Sequence, residues 1–114
     1  MYGRNVSLAC CLMSLVPAAP VIARDGYPTT TMVDYVFGCM KANGQTPDSM
    51  RSCSCSFDVV ASIIPYSRYE QAETFRSLAL QTGERGVLFR QSAPARSAVS
   101  ELRRAQAEAE VRCF

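Results

Sequence analysis

The cysteines of this chain constrain its fold more than any other feature. The sequence holds six cysteines and no histidine. Two of the six belong to an N-terminal segment with the features of an export signal. The four that follow it are Cys39, Cys53, Cys55 and Cys113. Because small exported domains commonly supplement a small core with disulfides, these four residues predict two disulfide bonds.

The export signal is predicted from three features at the N-terminus. Arg4 supplies a positive charge, and residues 6–16 form an apolar run that is too short to span a bilayer. Two prolines then interrupt the run, and small residues precede a predicted cut after Ala23. We therefore expect residues 1–23 to be a cleaved signal peptide, residues 24–114 to form one domain, and the protein to be periplasmic or secreted. The alternative is a buried N-terminal helix in a cytosolic protein.

The size and charge of the mature chain exclude several classes of function. A chain this short forms one domain with a small core. The formal net charge is +2 for the whole sequence and falls to +1 when Arg4 is removed. Because the charges nearly balance, we expect neither a nucleic-acid partner nor a polybasic membrane anchor. After the signal, the sequence has no long apolar run, so we expect no stable membrane insertion.

Apolar residues recur at helical intervals in the first half of the mature chain. Residues 31–43 form the first predicted helix, with threonine hydroxyls at its start and Gly44 at its end. A second helix is predicted to start at Thr46-Pro47 and to end at Pro65. Two apolar faces are predicted to reach the core: Met32, Val33, Val36, Phe37 and Met40 on the first helix, and Met50, Cys53, Phe57, Val60 and Ile64 on the second.

The second half of the mature chain completes a predicted all-α bundle of about four short helices. The third helix should begin near Ser67 and run to Thr82-Gly83. Residues 83–90 are predicted to form a loop whose apolar residues 87–89 reach the core. A fourth helix should open at Ser92, because a capping hydroxyl stands there just before a proline. Its core side is predicted to carry Val99, Leu102, Ala105, Ala109 and Cys113, and its solvated side Glu101, Arg103, Arg104, Glu108 and Arg112.

Helix geometry favours one pairing of the cysteines. Residues two apart on a helix point about 200° from each other, so Cys53 and Cys55 need different partners. The first two helices form an antiparallel hairpin, in which Cys39 lies at a similar height to Cys53. This favours disulfides Cys39–Cys53 and Cys55–Cys113. The crossed pairing remains an alternative, because connectivity cannot be deduced from sequence alone.

The residues available for catalysis argue against an enzyme. Without histidine, neither a Ser-His-Asp nor a Cys-His arrangement is possible. The candidate carboxylates Asp34, Asp58, Glu70 and Glu73 are scattered over predicted helix surfaces and caps. We therefore expect no catalytic residues and no cofactor.

A copper(I) carrier is the principal alternative that uses the cysteines. The thiolates of Cys53 and Cys55, with nearby methionines, would be soft ligands for copper(I). The same pair on a helix directs its sulfurs apart, and methionines at helical spacing usually fill a core. We therefore expect no metal site.

A recognition surface is the remaining functional feature. Tyr66, Arg68 and Tyr69 stand at the corner between the second and third helices, and Arg85 and Arg90 flank the apolar residues 87–89. These residue types dominate protein interfaces. They predict binding to another periplasmic protein. The alternatives are that the tyrosine rings pack at the core edge and Arg68 pairs locally, or that the protein is an inhibitor or chaperone that covers a target.

Several motifs together resemble a known group of proteins. The segment from Phe37 to Gly44, followed by the cysteines of residues 53–58, resembles the C…C-x-C helical hairpin of many small exported bacterial proteins. With the Pro-Tyr-x-x-Tyr corner, the Gly-Glu-Arg motif and the Ala-Gln-Ala-Glu-Ala tail, the set is similar to proteins encoded beside periplasmic quinoprotein alcohol dehydrogenases. The resemblance implies an accessory role and brings no catalytic residues with it.

Overall fold

Five α-helices make up the regular structure of the described residues. The computed structural model describes residues 26–114, so the predicted signal peptide and its cut lie outside the described residues. The helices are α1 (Thr29–Asn43), α2 (Pro47–Ile63), α3 (Tyr66–Ala79), α4 (Glu84–Gln91) and α5 (Ala93–Cys113). The predicted all-α class is therefore confirmed.

Two helices start at the capping signals that the sequence contains. The hydroxyl of Thr46 accepts a hydrogen bond from the backbone N–H of Ser49, and Pro47 is the first residue of α2. The hydroxyl of Ser92 accepts a hydrogen bond of 3.3 Å from the backbone N–H of Ala95 in the first turn of α5. Each cap satisfies a backbone donor that has no partner inside its helix.

The start of α1 differs from the prediction, whereas its end agrees. Pro28 is the N-cap, and its carbonyl accepts a 3.3 Å hydrogen bond from the N–H of Met32. Residues 29–31 therefore lie inside the first turn, and the predicted hydroxyl cap is wrong. The helix ends at Asn43 because Gly44 follows with φ of +103°, a conformation that L side chains rarely adopt.

The predicted loop at residues 83–90 is largely helical. Helix α3 ends at Ala79 instead of Thr82, a short turn follows, and α4 begins directly after Gly83. Consecutive residues on a helix point about 100° apart, so three in a row cannot all face one core. Accordingly, Val87 and Leu88 are 40% and 68% exposed, and the expectation that they reach the core is wrong.

Helix α5 is the centre of the fold. It packs against α2, α3 and α4, while α1 packs against α2. Its buried residues are spaced three, four, three and four apart, and four of the five are alanines: Ala95, Ala98, Leu102, Ala105 and Ala109. Since alanine has a small side chain, neighbouring helices can approach α5 closely. Larger side chains from elsewhere in the chain supply most of the core volume.

Tyr27 is the largest fully buried side chain, although it precedes the first helix. Its ring packs edge-on against Phe57 and Tyr66, with centroids 5.3 Å away in both cases. Its hydroxyl donates a 2.8 Å hydrogen bond to the backbone carbonyl of Ile64, directly after α2. The segment before α1 is thereby fixed to the corner between α2 and α3.

The predicted apolar faces of α1 and α2 are only partly buried. On α2, Phe57 and Val60 belong to the core, but Met50 is 49% exposed. Helix α1 has no buried residue, and Val33 and Phe37 are exposed. The apolar face of α1 stays partly exposed because this helix lies at the edge of the bundle and packs chiefly on α2.

The two disulfides join Cys39 to Cys53 and Cys55 to Cys113, with Cα atoms 5.8 Å apart in each. The favoured pairing is therefore confirmed. Cys53 is fully buried between α1 and α2. Cys55 lies on another side of α2 and bonds to the last residue of α5. Helix α2 is consequently linked on two sides.

The longer disulfide should stabilise the domain somewhat more than the shorter one. It joins residues 58 positions apart, and in the loop-entropy account a bridge of this span stabilises the folded state by about 4 kcal/mol. We expect the double variant Cys55→Ala/Cys113→Ala to lose about this much free energy of unfolding. Urea denaturation followed by far-ultraviolet circular dichroism measures it. Ser54→Ala, an exposed change in the same helix, is the control, and a loss below about 1 kcal/mol contradicts the prediction.

Removing the hydroxyl of Tyr27 should lower the stability of the domain. In Tyr27→Phe the buried carbonyl of Ile64 loses its 2.8 Å donor, and we expect a loss of about 1–2 kcal/mol in free energy of unfolding. Tyr66→Phe is the matched control, because within the described residues that hydroxyl makes only an exposed 3.4 Å bond to Glu70. Its loss should stay within about 0.5 kcal/mol. Equal losses in denaturant titrations of the two variants would show that the buried bond has no special weight.

Candidate functional site: an arginine-lined groove

An open groove of about 690 Å³ lies between α3, α4 and α5. Its floor is apolar and includes Phe75, Phe89 and Val99. Five arginines also line it: Arg76, Arg90, Arg96, Arg103 and Arg104. Among the described residues that line this groove, none is acidic. An apolar floor with cationic side chains suits a ligand that combines apolar surface with negative charge.

Helix α5 forms one long wall of the groove. It contributes two adjacent rows at helical spacing: Ala95, Val99, Arg103 and Ala107, and Arg96, Ser100 and Arg104. The stripe spans about three turns, or roughly 18 Å.

Helices α3 and α4 form the opposite wall and contribute Arg76 and Arg90. Arg76 makes a 2.8 Å ion pair with Glu73, one turn earlier on α3. The Nη1 of Arg90 donates a 2.7 Å hydrogen bond to the backbone carbonyl of Ala79 at the end of α3. Both bonds leave other guanidinium N–H groups available, because each guanidinium has five donors.

The arginines of the α5 wall make fewer contacts with other polar groups than Arg76 and Arg90 do. Within residues 26–114, no ion pair involves Arg96, Arg103 or Arg104. Arg96, Arg103 and Arg104 are all exposed. The groove therefore keeps unneutralised positive charge along this wall, and an acidic ligand would not have to displace an internal partner there.

Gly86 allows α4 to lie close to the turn that connects it to α3. A Cβ atom at this position would lie 1.9 Å from the backbone carbonyl oxygen of Gln81, which is far inside van der Waals contact. Only glycine allows the approach. Phe89 and Arg90 follow on the same helix and line the groove, so Gly86 contributes to the shape of the site without lining it.

Exposed apolar surface continues from the groove across α4. Leu80 lines the groove and is 85% exposed. A second, shallower depression includes Val87, Leu88 and Arg90, and the last of these belongs to the groove as well. Large exposed apolar side chains next to one another are typical of interaction surfaces.

The tyrosines of the predicted partner-binding set lie at the other end of α3. Tyr69 is only 8% exposed, and its burial raises the pKa of its hydroxyl, so it is protonated at neutral pH. The half-buried ring of Tyr66 packs against Tyr27. With Asp34, Glu70 and Glu73, both line a small acidic cleft of about 230 Å³. The expectation that the candidate carboxylates are scattered is therefore wrong for these three.

The arginines of that predicted set are dispersed. Two nitrogens of Arg68 donate to one carboxylate oxygen of Glu101 at 2.9 and 2.6 Å, which links α3 to α5. Arg85 is exposed on α4, and Arg90 lines the groove. Helix α3 is about 20 Å long and separates the tyrosine corner from Arg90. The structure thus does not assemble the five residues into one site, and their role in binding stays a prediction.

Sequence reasoning missed the groove itself. The sequence pattern places Arg103 and Arg104 on an ordinary solvated face and predicts no role for Arg76 or Arg96. One signal was available: between Glu84 and Glu101 the chain has no acidic residue but contains Arg85, Arg90 and Arg96. Charge segregation of this kind indicates a cationic surface, although it does not indicate which helices enclose it.

The paired sulfurs bear on the copper alternative. Cys53 and Cys55 are bonded to different partners, and a bonded sulfur is not a thiolate ligand. Across residues 26–114 there is no cluster of three or more cysteine or acidic side chains placed to hold a metal ion. Copper binding therefore concerns the reduced protein, and it stays an untested alternative there.

Comparison with protein-family models, curated proteins and solved structures gives no match to this chain. In the described part of the chain, no helix has both the length and the apolar character needed to cross a membrane.

Two glycine substitutions, one a control for the other, test the close contact at Gly86. We expect Gly86→Ala to lower the free energy of unfolding by about 1–3 kcal/mol, because the methyl group collides with the Gln81 carbonyl. Gly38 lies within α1, and in the described part of the chain no atom beyond its chain neighbours and the nearby backbone of its own helix would be within 4 Å of a new methyl group there. Gly38→Ala should instead gain about 0.5–1 kcal/mol from helix propensity. Chemical denaturation measures both, and a neutral Gly86→Ala would contradict the close approach.

Proposed function

We propose that this protein is a non-catalytic binding protein of the periplasm, which captures another protein as an accessory factor. The single observation that carries the proposal is the arginine-lined groove, which is open, apolar at its floor and cationic on both long walls. Arginine and aromatic residues around a desolvated centre are the features that concentrate binding energy in protein interfaces.

The arrangement of the fold supports binding more than catalysis. The groove residues are arginine, alanine, serine and apolar side chains, and arginine does not exchange a proton near neutral pH. Desolvation raises the pKa values of the partly buried Tyr35 and the buried Tyr69, which removes both hydroxyls further from acid–base work at neutral pH.

The periplasmic assignment is supported by the disulfides together with the predicted export signal. Two disulfides in a domain this small indicate an oxidising compartment. The accessory role for a periplasmic oxidoreductase, such as a quinoprotein alcohol dehydrogenase, rests on the sequence resemblance alone.

Site-specific photocrosslinking in living cells tests the proposal. A photoreactive amino acid replaces Ser100, which lies on the groove wall, and in a second strain it replaces Ser62, an exposed residue of α2 outside the groove. We expect a discrete crosslinked protein from position 100 and little or none from position 62. Mass spectrometry identifies it, and an oxidoreductase subunit would support the accessory role.

Two outcomes would contradict the proposal. The first is the same set of crosslinks from both positions, which means that the groove is not a preferred surface. The second is a stoichiometric copper ion, with free thiols at Cys53 and Cys55, after anaerobic purification from periplasm. That result would favour the copper(I) carrier.

A further inference from the structure

We infer that the groove accepts an acidic amphipathic helix of about three turns, contributed by the partner protein. The inference rests on the proposed function and specifies the chemistry of the partner segment. Three observations carry it: the length of the α5 wall, the distribution of arginines over both walls, and the apolar strip between them.

The length of the wall sets the length of the segment. Lining residues of α5 run from Ala95 to Ala107, a distance of about 18 Å along the helix axis. A partner helix of three turns lying alongside matches this distance. Its apolar residues, spaced three and four apart, would meet the strip formed by Phe75, Phe89 and Val99.

The charges of the two walls set the polar faces of the segment. Arg76 and Arg90 stand on one wall, and Arg96, Arg103 and Arg104 stand on the other. A helix lying in the groove exposes a polar flank to each wall. Carboxylates on both flanks of a central apolar stripe therefore complement the groove, and arginine can bind a carboxylate through two parallel hydrogen bonds.

The spacing of the arginines favours such a helix over an anionic lipid. Arg96 and Arg103 are two turns of α5 apart, about 11 Å. A lipid carries its charge at one end of an apolar chain, so it would leave the arginines at the other end unpaired. An acidic helix presents a carboxylate about every turn and can pair with arginines along the whole groove.

The test uses the purified mature protein and synthetic peptides of about 14 residues. The acidic peptide has leucines at i, i+3, i+4 and i+7 and glutamates on both flanks, and the matched peptide has glutamine in place of every glutamate. Fluorescence anisotropy of labelled peptides gives the dissociation constants. We expect the acidic peptide to bind at least tenfold more tightly than the glutamine peptide, with an affinity that falls as salt rises.

Paired variants assign the binding to the groove. Arg103→Gln/Arg104→Gln removes two charges from the groove wall and should weaken the acidic peptide by about tenfold. Arg51→Gln/Arg112→Gln removes the same charge from exposed positions outside it and should change the affinity less than twofold, roughly. Circular dichroism checks that both variants keep the helical fold.

Several results would overturn the inference. They are equal affinities for the two peptides, equal losses in the two double variants, or no binding of the acidic peptide at millimolar concentration. Groove-dependent binding to anionic phospholipid vesicles in place of the peptide would assign the site to lipid, and a concentration-dependent dimer lost in Arg103→Gln/Arg104→Gln would assign it to a second copy. If the groove crosslink at position 100 persists while the peptide fails, the proposed function stands and only the partner chemistry is wrong.

Discussion

The opposed directions of Cys53 and Cys55 on α2 are the constraint on which the rest of the structure depends. Because the two sulfurs cannot reach the same neighbour, α2 is bonded to α1 on one side and to the end of α5 on the other. Helix α5 is therefore fixed at its last residue and also packed against α2 and α3 through its alanine stripe. One wall of the groove is consequently a restrained helix, which reduces the conformational entropy that binding would otherwise cost.

The other wall of the groove is held by weaker means. Among the described residues, no disulfide reaches α3 or α4. The position of α4 depends on the close approach at Gly86 and on the hydrogen bond from Arg90 to the carbonyl of Ala79. The groove thus combines a covalently restrained wall with one that local contacts maintain. The second wall is therefore the part of the site that can adjust to a ligand at small energetic cost.

Local sequence signals predicted most of the helices. The features that could not be predicted are those that depend on how the helices pack together. Thr46-Pro47, Ser92 and Gly44 act within one turn of their own positions, so their effects could be derived directly. Helix α4 and the exposure of Met50 depend on which helices become neighbours. The groove depends on this as well, because its arginines lie on three helices and no local pattern connects them. The disulfide pairing could be predicted because helix geometry and the hairpin together left few alternative pairings.

The uneven distribution of charge in this small domain affects how a partner protein approaches it as well as how tightly the partner binds. A net charge of +2 over the whole sequence suggests a nearly neutral particle, yet five arginines face one groove and the small cleft near Tyr66 is acidic. The molecule therefore has a directional electric field, which acts over about 8 Å at physiological ionic strength. An acidic partner would be turned towards the groove before contact, so the field selects the orientation of approach while the apolar floor determines how long the partner stays.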